Sequence, residues 1–429
     1  MRTTARRLLP VLLALLPAGA ARAQAADVAV YRRSPTELWV YDTRPEVGVA
    51  THVFDDAAVR RLQELDVRLV RHTMYWNQVE NTTVPGRYDP RQLAHWDALV
   101  RRAQGAGIEL LVVVHGNAPG VTWENRQEGY RRYARFMGAM AARYPSVRYW
   151  ELWNEMDQGF TDLFGATRPG VSMRDRGRMY AEMLKLAYPA VKRANPRAWV
   201  LNGGMTDWRD FPRGIYEAGG RDYFDFMSLH TYGAPVLTSF RQRGEELRAL
   251  MARHGDEGKP LWNTEFGIDA GSMVNAWGIP SRANPRREDG ARFDELHLEN
   301  WRDPLEHNAR ARLYAKTIGY ALYAKNEAAG DRLRREARLP RGRTSDDYGF
   351  GLLRDDARTP RPAFEWLRQR RYNAPLRAAP VRTVDVEVPL PAGTEPVGYA
   401  WSPAGSGRAL LRGVRVGTAE PTVVRLRRR

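Results

Sequence analysis

Residues 147 to 155 read VRYWELWNE, and residues 260 to 267 read PLWNTEFG. Each is a short, nearly continuous apolar run of strand-forming residues that closes on a carboxylate. Glu155 ends the first run and Glu265 lies near the end of the second, 110 positions further on. Runs of this length, rich in β-branched and aromatic residues, mark strands buried on both faces, as in a parallel sheet. Five more lie along the chain: VGVATHV (47 to 53), VRLVRH (67 to 72), IELLVVVH (108 to 115), AWVLNGG (198 to 204) and FDFMSLHTY (224 to 232). Segments with apolar residues at three- and four-residue spacing alternate with them, among them DAAVRRLQEL, RQLAHWDALVRRAQGAG, ENRQEGYRRYARFMGAMAARYP and RDRGRMYAEMLKLAYPAVKRANP. Alternating strand and helix predicts an α/β fold with a closed parallel sheet, a (β/α)8 TIM barrel. A doubly wound open sheet is the alternative, but no glycine-rich dinucleotide loop follows the first strand, GVATHVFDD.

The eighth strand is ambiguous between GYALYAK near residue 322 and YGFGLL at 348 to 353. The polar, Pro- and Arg-rich stretch from about 271 to 303 reads as a long loop over the face where the βα loops gather. Beyond the helix-like RPAFEWLRQRR, the pattern changes to alternating residues with Pro-Gly turns. The expected organisation is a signal peptide over 1 to 23, a β hairpin segment over 24 to 44 and a catalytic barrel over 45 to 372. A small β-sandwich-like module over 373 to 429 completes it, and the hairpin around LWVYDTRP is a candidate partner for that module.

At 429 residues, with 43% hydrophobic content, the chain can bury a large core, which excludes a disordered protein. Arginines at 2, 6 and 7 precede the apolar run 8 to 18, and Ala21-Arg22-Ala23 supplies a small-x-small site, so cleavage is expected before Gln24. The apolar run is short of the ~20 residues a spanning helix needs. Export to the periplasm or the extracellular space is therefore expected, without stable membrane insertion. With no cysteine, no disulfide can form. Net charge is +17; the first 23 residues hold four arginines and no acid, so +13 belongs to the remainder. The arginines are scattered, and no nucleic-acid-binding module is recognisable, so nucleic acid is not expected as a partner. An acidic polymer is a further option for such a surface.

In a barrel the C-terminal strand ends hold the active site, so carboxylates far apart in sequence converge there. Glu155 would end strand four and Glu265 strand seven. A carboxylate pair suits glycoside hydrolysis, one member protonating the leaving oxygen while the other attacks the anomeric carbon or activates water. His72 and His115 end strands two and three. Trp76, Trp123 and Trp208 follow strands and are candidates for stacking on sugar rings, with core packing as the alternative for each. No H-x-H follows strand one, which disfavours a metal-dependent amidohydrolase, and neither a metal nor an organic cofactor is expected.

The Asn154-Glu155 pair on strand four, HTY after strand six and LWNTEFG on strand seven resemble the retaining glycoside hydrolases of clan A. Within the clan they are most similar to family 39 and its exopolysaccharide hydrolase members, over roughly residues 45 to 370. The resemblance implies Glu155 as general acid/base, Glu265 as nucleophile and Asn154 as a donor to the sugar 2-hydroxyl. It also implies Arg71 beside the nucleophile and His230 with Tyr232 as the strand-six pair; His115 and Trp76 complete the expected substrate-binding set. The clan's strand-eight tryptophan has no counterpart that the sequence identifies. The expected protein is a monomeric, endo-acting retaining hydrolase of a secreted or cell-surface polysaccharide. A non-catalytic carbohydrate-binding or biosynthesis-accessory protein and a basic exported binding protein are the competing classes.

Overall fold

The computed structural model describes residues 27–158, 168–268, 272, 276, 287–323, 350–354, 358–405 and 407–428. The expected signal peptide lies outside the described residues. Among the described residues no helix is long and apolar enough to cross a membrane.

Eight parallel strands form the barrel: β3 (Glu46–Ala50), β4 (Leu69–Tyr75), β5 (Glu109–His115), β6 (Tyr149–Asn154), β7 (Trp199–Gly204), β8 (Met227–Tyr232), β9 (Leu261–Gly267) and β10 (Lys316–Tyr320). The hydrogen-bonded order is β7-β6-β5-β4-β3-β10-β9-β8. Parallel bridges Leu201 to Phe226 and Met205 to Leu229 close the ring between β7 and β8. The seven expected strands are all present. The eighth is KTIGY, which overlaps the first of its two candidates only at Gly319 and Tyr320. Of the other candidate, YGFGLL, residues 348 and 349 lie outside the described residues; the remainder is not the barrel strand, since the Leu352 and Leu353 amides donate to Ala321 and Leu322 and it runs beside the chain just past β10.

Helices cover the outside, and their ends follow the sequence. Asp55 accepts from the Ala58 amide at the start of helix Asp56–Glu64. Asp89 caps Pro90–Ala106, which stops at Gly107 with φ +65°, and Ser172 caps Met173–Ala194. Such side chains satisfy amides that have no partner within the helix. The stretch expected to be a polar loop over 271 to 303 is helical from Arg287, as part of helix Arg287–Ala311. Its apolar stripe, Phe293, Leu296, Trp301 and Leu305, is buried. Four apolar residues at helical spacing are enough to seat a helix whose other positions are polar.

Three apolar clusters organise the molecule. The largest fills the space between strands and helices. A second runs through the barrel interior, and toward its N-terminal end Trp199, Phe226 and Trp262 stack successively at 5.2 Å. Trp39, from the hairpin β1 (Val28–Ser34) and β2 (Glu37–Asp42), meets Trp199 edge-on at 5.1 Å. The third lies between two antiparallel sheets. One is β1-β2-β15-β12, with β12 at Thr394–Pro396 and β15 at Thr422–Arg428. The other is β11-β14-β13, with β11 at Val381–Pro389, β13 at Ala400–Pro403 and β14 at Arg408–Gly417. The N-terminal hairpin and the C-terminal strands thus share one sheet, joined by β2 and β15.

Candidate active site

At the end of β6 the backbone leaves the strand conformation twice. Trp153 has φ +81° and Glu155 φ +43°. Left-handed backbone is costly for residues with a side chain, and such strain persists only where the surroundings enforce it. Here the Glu155 amide donates to the Gly204 carbonyl at 2.7 Å. The turn buries Trp153 against Tyr133 in the outer layer and leaves Asn154 and Glu155 on the barrel side.

Across the barrel mouth, Arg71 on β4 donates to three side chains at once, two on β6 and one on β9. Its Nε is 2.6 Å from Glu151 Oε2 and its Nη2 is 2.7 Å from Asn154 Oδ1, while Nη1 contacts Glu265 Oε1. The second oxygen of Glu265 accepts from the Tyr232 hydroxyl. His230 Nδ1 lies 2.7 Å from Glu155 Oε1 and 3.6 Å from Glu265 Oε2. One oxygen each of Glu155 and Glu265 and a ring nitrogen of His230 all fall within 4.8 Å of one another. That spacing would also suit a cation. Arg71 already supplies a positive charge on Glu265.

Burial is the main force raising the Glu155 pKa, and the neighbouring Glu265 charge adds to it against the pull of His230. For His230 burial opposes the charged form, but the Glu265 charge and the hydrogen bond to Glu155 outweigh it and raise the pKa. Both shifts act at the 2.7 Å contact between Glu155 Oε1 and His230 Nδ1. Burial, then the Glu265 charge, pushes the Tyr232 phenol well above 10, so it stays a donor.

His230 reaches this position because Gly204 has no side chain: a Cβ there would fall 1.9 Å from His230 Nε2. Glu151, which sequence reasoning passed over, is completely buried below the pair and accepts from Arg71, Ser228 Oγ at 3.0 Å and Thr264 Oγ1 at 2.8 Å. Its signal was a charged residue at the centre of an apolar strand.

Arg71, Asn154, Glu155, His230, Tyr232 and Glu265 are therefore brought together as expected. Trp76 is a correction. It is fully buried in the outer layer, where its Nε1 donates to Glu80 at 2.6 Å and its ring packs against Tyr133 and Phe136, so no sugar can stack on it. His115 ends β5 half-buried, edge-on to Tyr75 at 5.1 Å and to Trp153 at 6.4 Å. His72 is a packing residue: burial drives its pKa down to about 4, and its ring lies against Trp96. Trp123 is flanked by Arg126 and Arg168, and Trp208 by Arg209 and Arg243. In place of a strand-eight tryptophan, β10 ends in Tyr320, whose hydroxyl is 3.0 Å from His52 Nε2 and whose ring lies 5.3 Å from Phe350.

An eight-stranded barrel with glutamates at the ends of its fourth and seventh strands defines a clan A glycoside hydrolase, acting on O-glycosyl bonds. Residues 42–284, more than half of the sequence, match the model of Cellulase (glycosyl hydrolase family 5), and the chain belongs to that family. No curated protein matches the sequence at a significant level. Among solved structures, a family 39 glycoside hydrolase from the gut symbiont Bacteroides cellulosilyticus WH2 is similar in fold, with TM-score 0.53 and 17% identity over 94% of this chain and 88% of that one. A glucosidase from Croceicoccus marinus has TM-score 0.52 and 18% identity over 80% and 70% of the two chains. An exo-beta-1,4-mannosidase from Opitutaceae bacterium strain TAV5 has TM-score 0.53 and 13% identity over 78% and 60%. At these identities the likeness is one of fold. The clan expected from the sequence stands; the matching family model is family 5, while family 39 returns as a structural likeness.

Proposed function

We propose that the protein is a retaining, endo-acting hydrolase of a secreted or cell-surface polysaccharide, with Glu265 as nucleophile and Glu155 as general acid/base. The observation that carries this reading is the approach of the two carboxylates to within 4.8 Å. Retaining enzymes hold their carboxyl groups about 5–5.5 Å apart, whereas inverting enzymes leave about 6.5–9.5 Å for a water. In the first step, Glu265 attacks the anomeric carbon while Glu155 protonates the departing glycosidic oxygen. Arg71 and Tyr232 keep Glu265 ionised and fix its attacking oxygen, and Asn154 is placed to hydrogen-bond the sugar. Once the glycosyl-enzyme forms, the charge of Glu265 is gone, and with it one of the forces raising the pKa of Glu155. Glu155 then takes a proton from water, and the hydroxide equivalent releases the sugar with its configuration retained.

Under this reading the protein is exported, acts as a monomer on a polysaccharide or oligosaccharide, and uses neither cofactor nor nucleic acid. The solved structures named for a glucosidase and an exo-mannosidase are consistent with glycan cleavage, and the choice of endo action rests on the exopolysaccharide hydrolase resemblance. A panel of purified polysaccharides assayed for new reducing ends tests it. At least one should be cut by the parent protein and not by Glu265→Ala, with product length separating endo from exo action. Equal activity of parent and variant would overturn the assignment.

A further inference from the structure

A cleft of about 1600 Å³ lies at the opposite end of the barrel from Glu155 and Glu265. Its roof is the barrel-facing side of the β1-β2-β15 sheet. Glu37 and Arg425 are register partners there, as are Trp39 and Val423. Its floor is formed by the loops entering the N-terminal ends of β6, β7, β8 and β9. Barrel strands of about six residues, rising roughly 3.3 Å each, separate the two ends by about 20 Å. The cleft is therefore not a lobe of the catalytic groove.

Three features point to a ligand. First, Arg32, Arg197 and Arg425 line the cleft, are exposed, and form no ion pair among the described residues. Second, most of the cleft's acids are already engaged. Glu420 contacts Arg148 and accepts from Trp199 Nε1 at 2.9 Å, Asp225 accepts from Lys192 at 3.2 Å and Tyr188 at 2.8 Å, and Asp222 pairs with Arg33 at 3.4 Å. The charge presented to a visitor is thus positive. Third, of the four large hydrophobic side chains exposed among the described residues, two, Val397 at 42% and Val423 at 40%, sit in this cleft, and half-buried Tyr399 lines it with them. An apolar patch between these guanidinium groups matches a chain of pyranose rings, whose C–H faces are apolar, carrying carboxylates along its edges.

We infer that this cleft is a second, non-catalytic binding site for an acidic polysaccharide segment, a polyuronate-like chain. Binding there raises the local concentration of the polymer around the catalytic end without contributing to bond cleavage. The inference is independent of the roles given to Glu155 and Glu265.

The test uses full-length Glu265→Ala protein in native gels containing alginate as polyuronate, a neutral glucan, or no polymer. Retardation by alginate should exceed that by the neutral glucan and weaken as salt rises. Adding Arg32→Ser, Arg197→Ser and Arg425→Ser should weaken the alginate affinity at least fivefold. A control that replaces Arg60, Arg91 and Arg101, exposed arginines that form no ion pair among the described residues, with serine carries the same charge change and should keep most of the affinity. Equal loss in both triple variants would reduce the effect to net charge and overturn the inference. Undiminished binding by the cleft variant would also overturn it. Tighter cleft-dependent binding of a single-stranded DNA oligonucleotide than of alginate would overturn the glycan assignment.

Discussion

Replacing Arg71 with methionine removes the cation that ties β4 to β6 and β9. Its side chain is 4% exposed and that of Glu151 is 0%, so neither charge is compensated by water. Breaking a buried pair by deleting one partner costs about 3–5 kcal/mol, because the survivor remains as a desolvated charge. A protein of ordinary stability has only about 5–15 kcal/mol in total. The melting temperature should therefore fall by roughly 6–20 °C, at about 2–4 °C per kcal/mol for a large chain. The companion double variant, Arg71→Met with Glu151→Met, removes both charges. It should recover about 2 kcal/mol of the loss, less than all of it, because the Thr264 hydroxyl then lacks its acceptor. Urea unfolding of parent, both single variants and the double gives the coupling energy directly. An Arg71→Met protein within about 1 kcal/mol of the parent, or a double variant whose loss equals the sum of the singles, would refute the idea that this network is mutually dependent.

Four further outcomes follow from the structure. Activity requires protonated Glu155, whose pKa burial raises, so kcat/KM should fall as pH rises through that raised value; Glu155→Gln on an aryl glycoside with a good leaving group should lose this alkaline limb, and its persistence would assign the limb elsewhere. By linkage, the same raised pKa means that the stability contributed by protonated Glu155 is complete below the ordinary carboxyl range and is lost as pH rises through the folded-state value; the Glu155→Gln protein should therefore gain stability relative to the parent with rising pH, which melting curves across pH would contradict if the gap narrowed instead. Gly204→Ala must displace His230, since the new methyl would overlap its ring; kcat should drop at least tenfold with little change in KM, and an unchanged kcat would show that His230 does not position Glu155. Trp76→Ala should cost about 3–5 kcal/mol of stability as a core truncation while the folded enzyme keeps its KM; a large rise in KM would restore Trp76 to the substrate site.

The strand runs and the two glutamates were legible because burial on both faces writes a continuous apolar signal, and a carboxylate closing such a run breaks it visibly. Strand eight was harder to place. KTIGY contains only two residues that signal a buried strand, and its lysine is buried by contact with Glu46 and by lying over Tyr149 and Trp262, a partnership no local pattern announces. Trp76 and His72 were ambiguous for a related reason. His72 lies midway along β4 and Trp76 just past its end; side chains alternate across a strand, and which parity faces the barrel depends on the register of the closed sheet. Arg71 points inward, and His72 beside it packs outward against Trp96. The helix from Arg287 was hidden by its composition, since a narrow apolar stripe suffices where the other residues face solvent.

The proposed mechanism turns on a covalent bond between Glu265 and the sugar. The most direct measurement is peptide mass mapping after inactivation by a 2-deoxy-2-fluoro glycoside of the sugar that the polysaccharide panel identifies. A single glycosylated peptide containing Glu265 is expected, with the label absent from Glu265→Ala protein and present, slowly formed, in Glu155→Gln. A label on Glu155, or on any other residue, would contradict it.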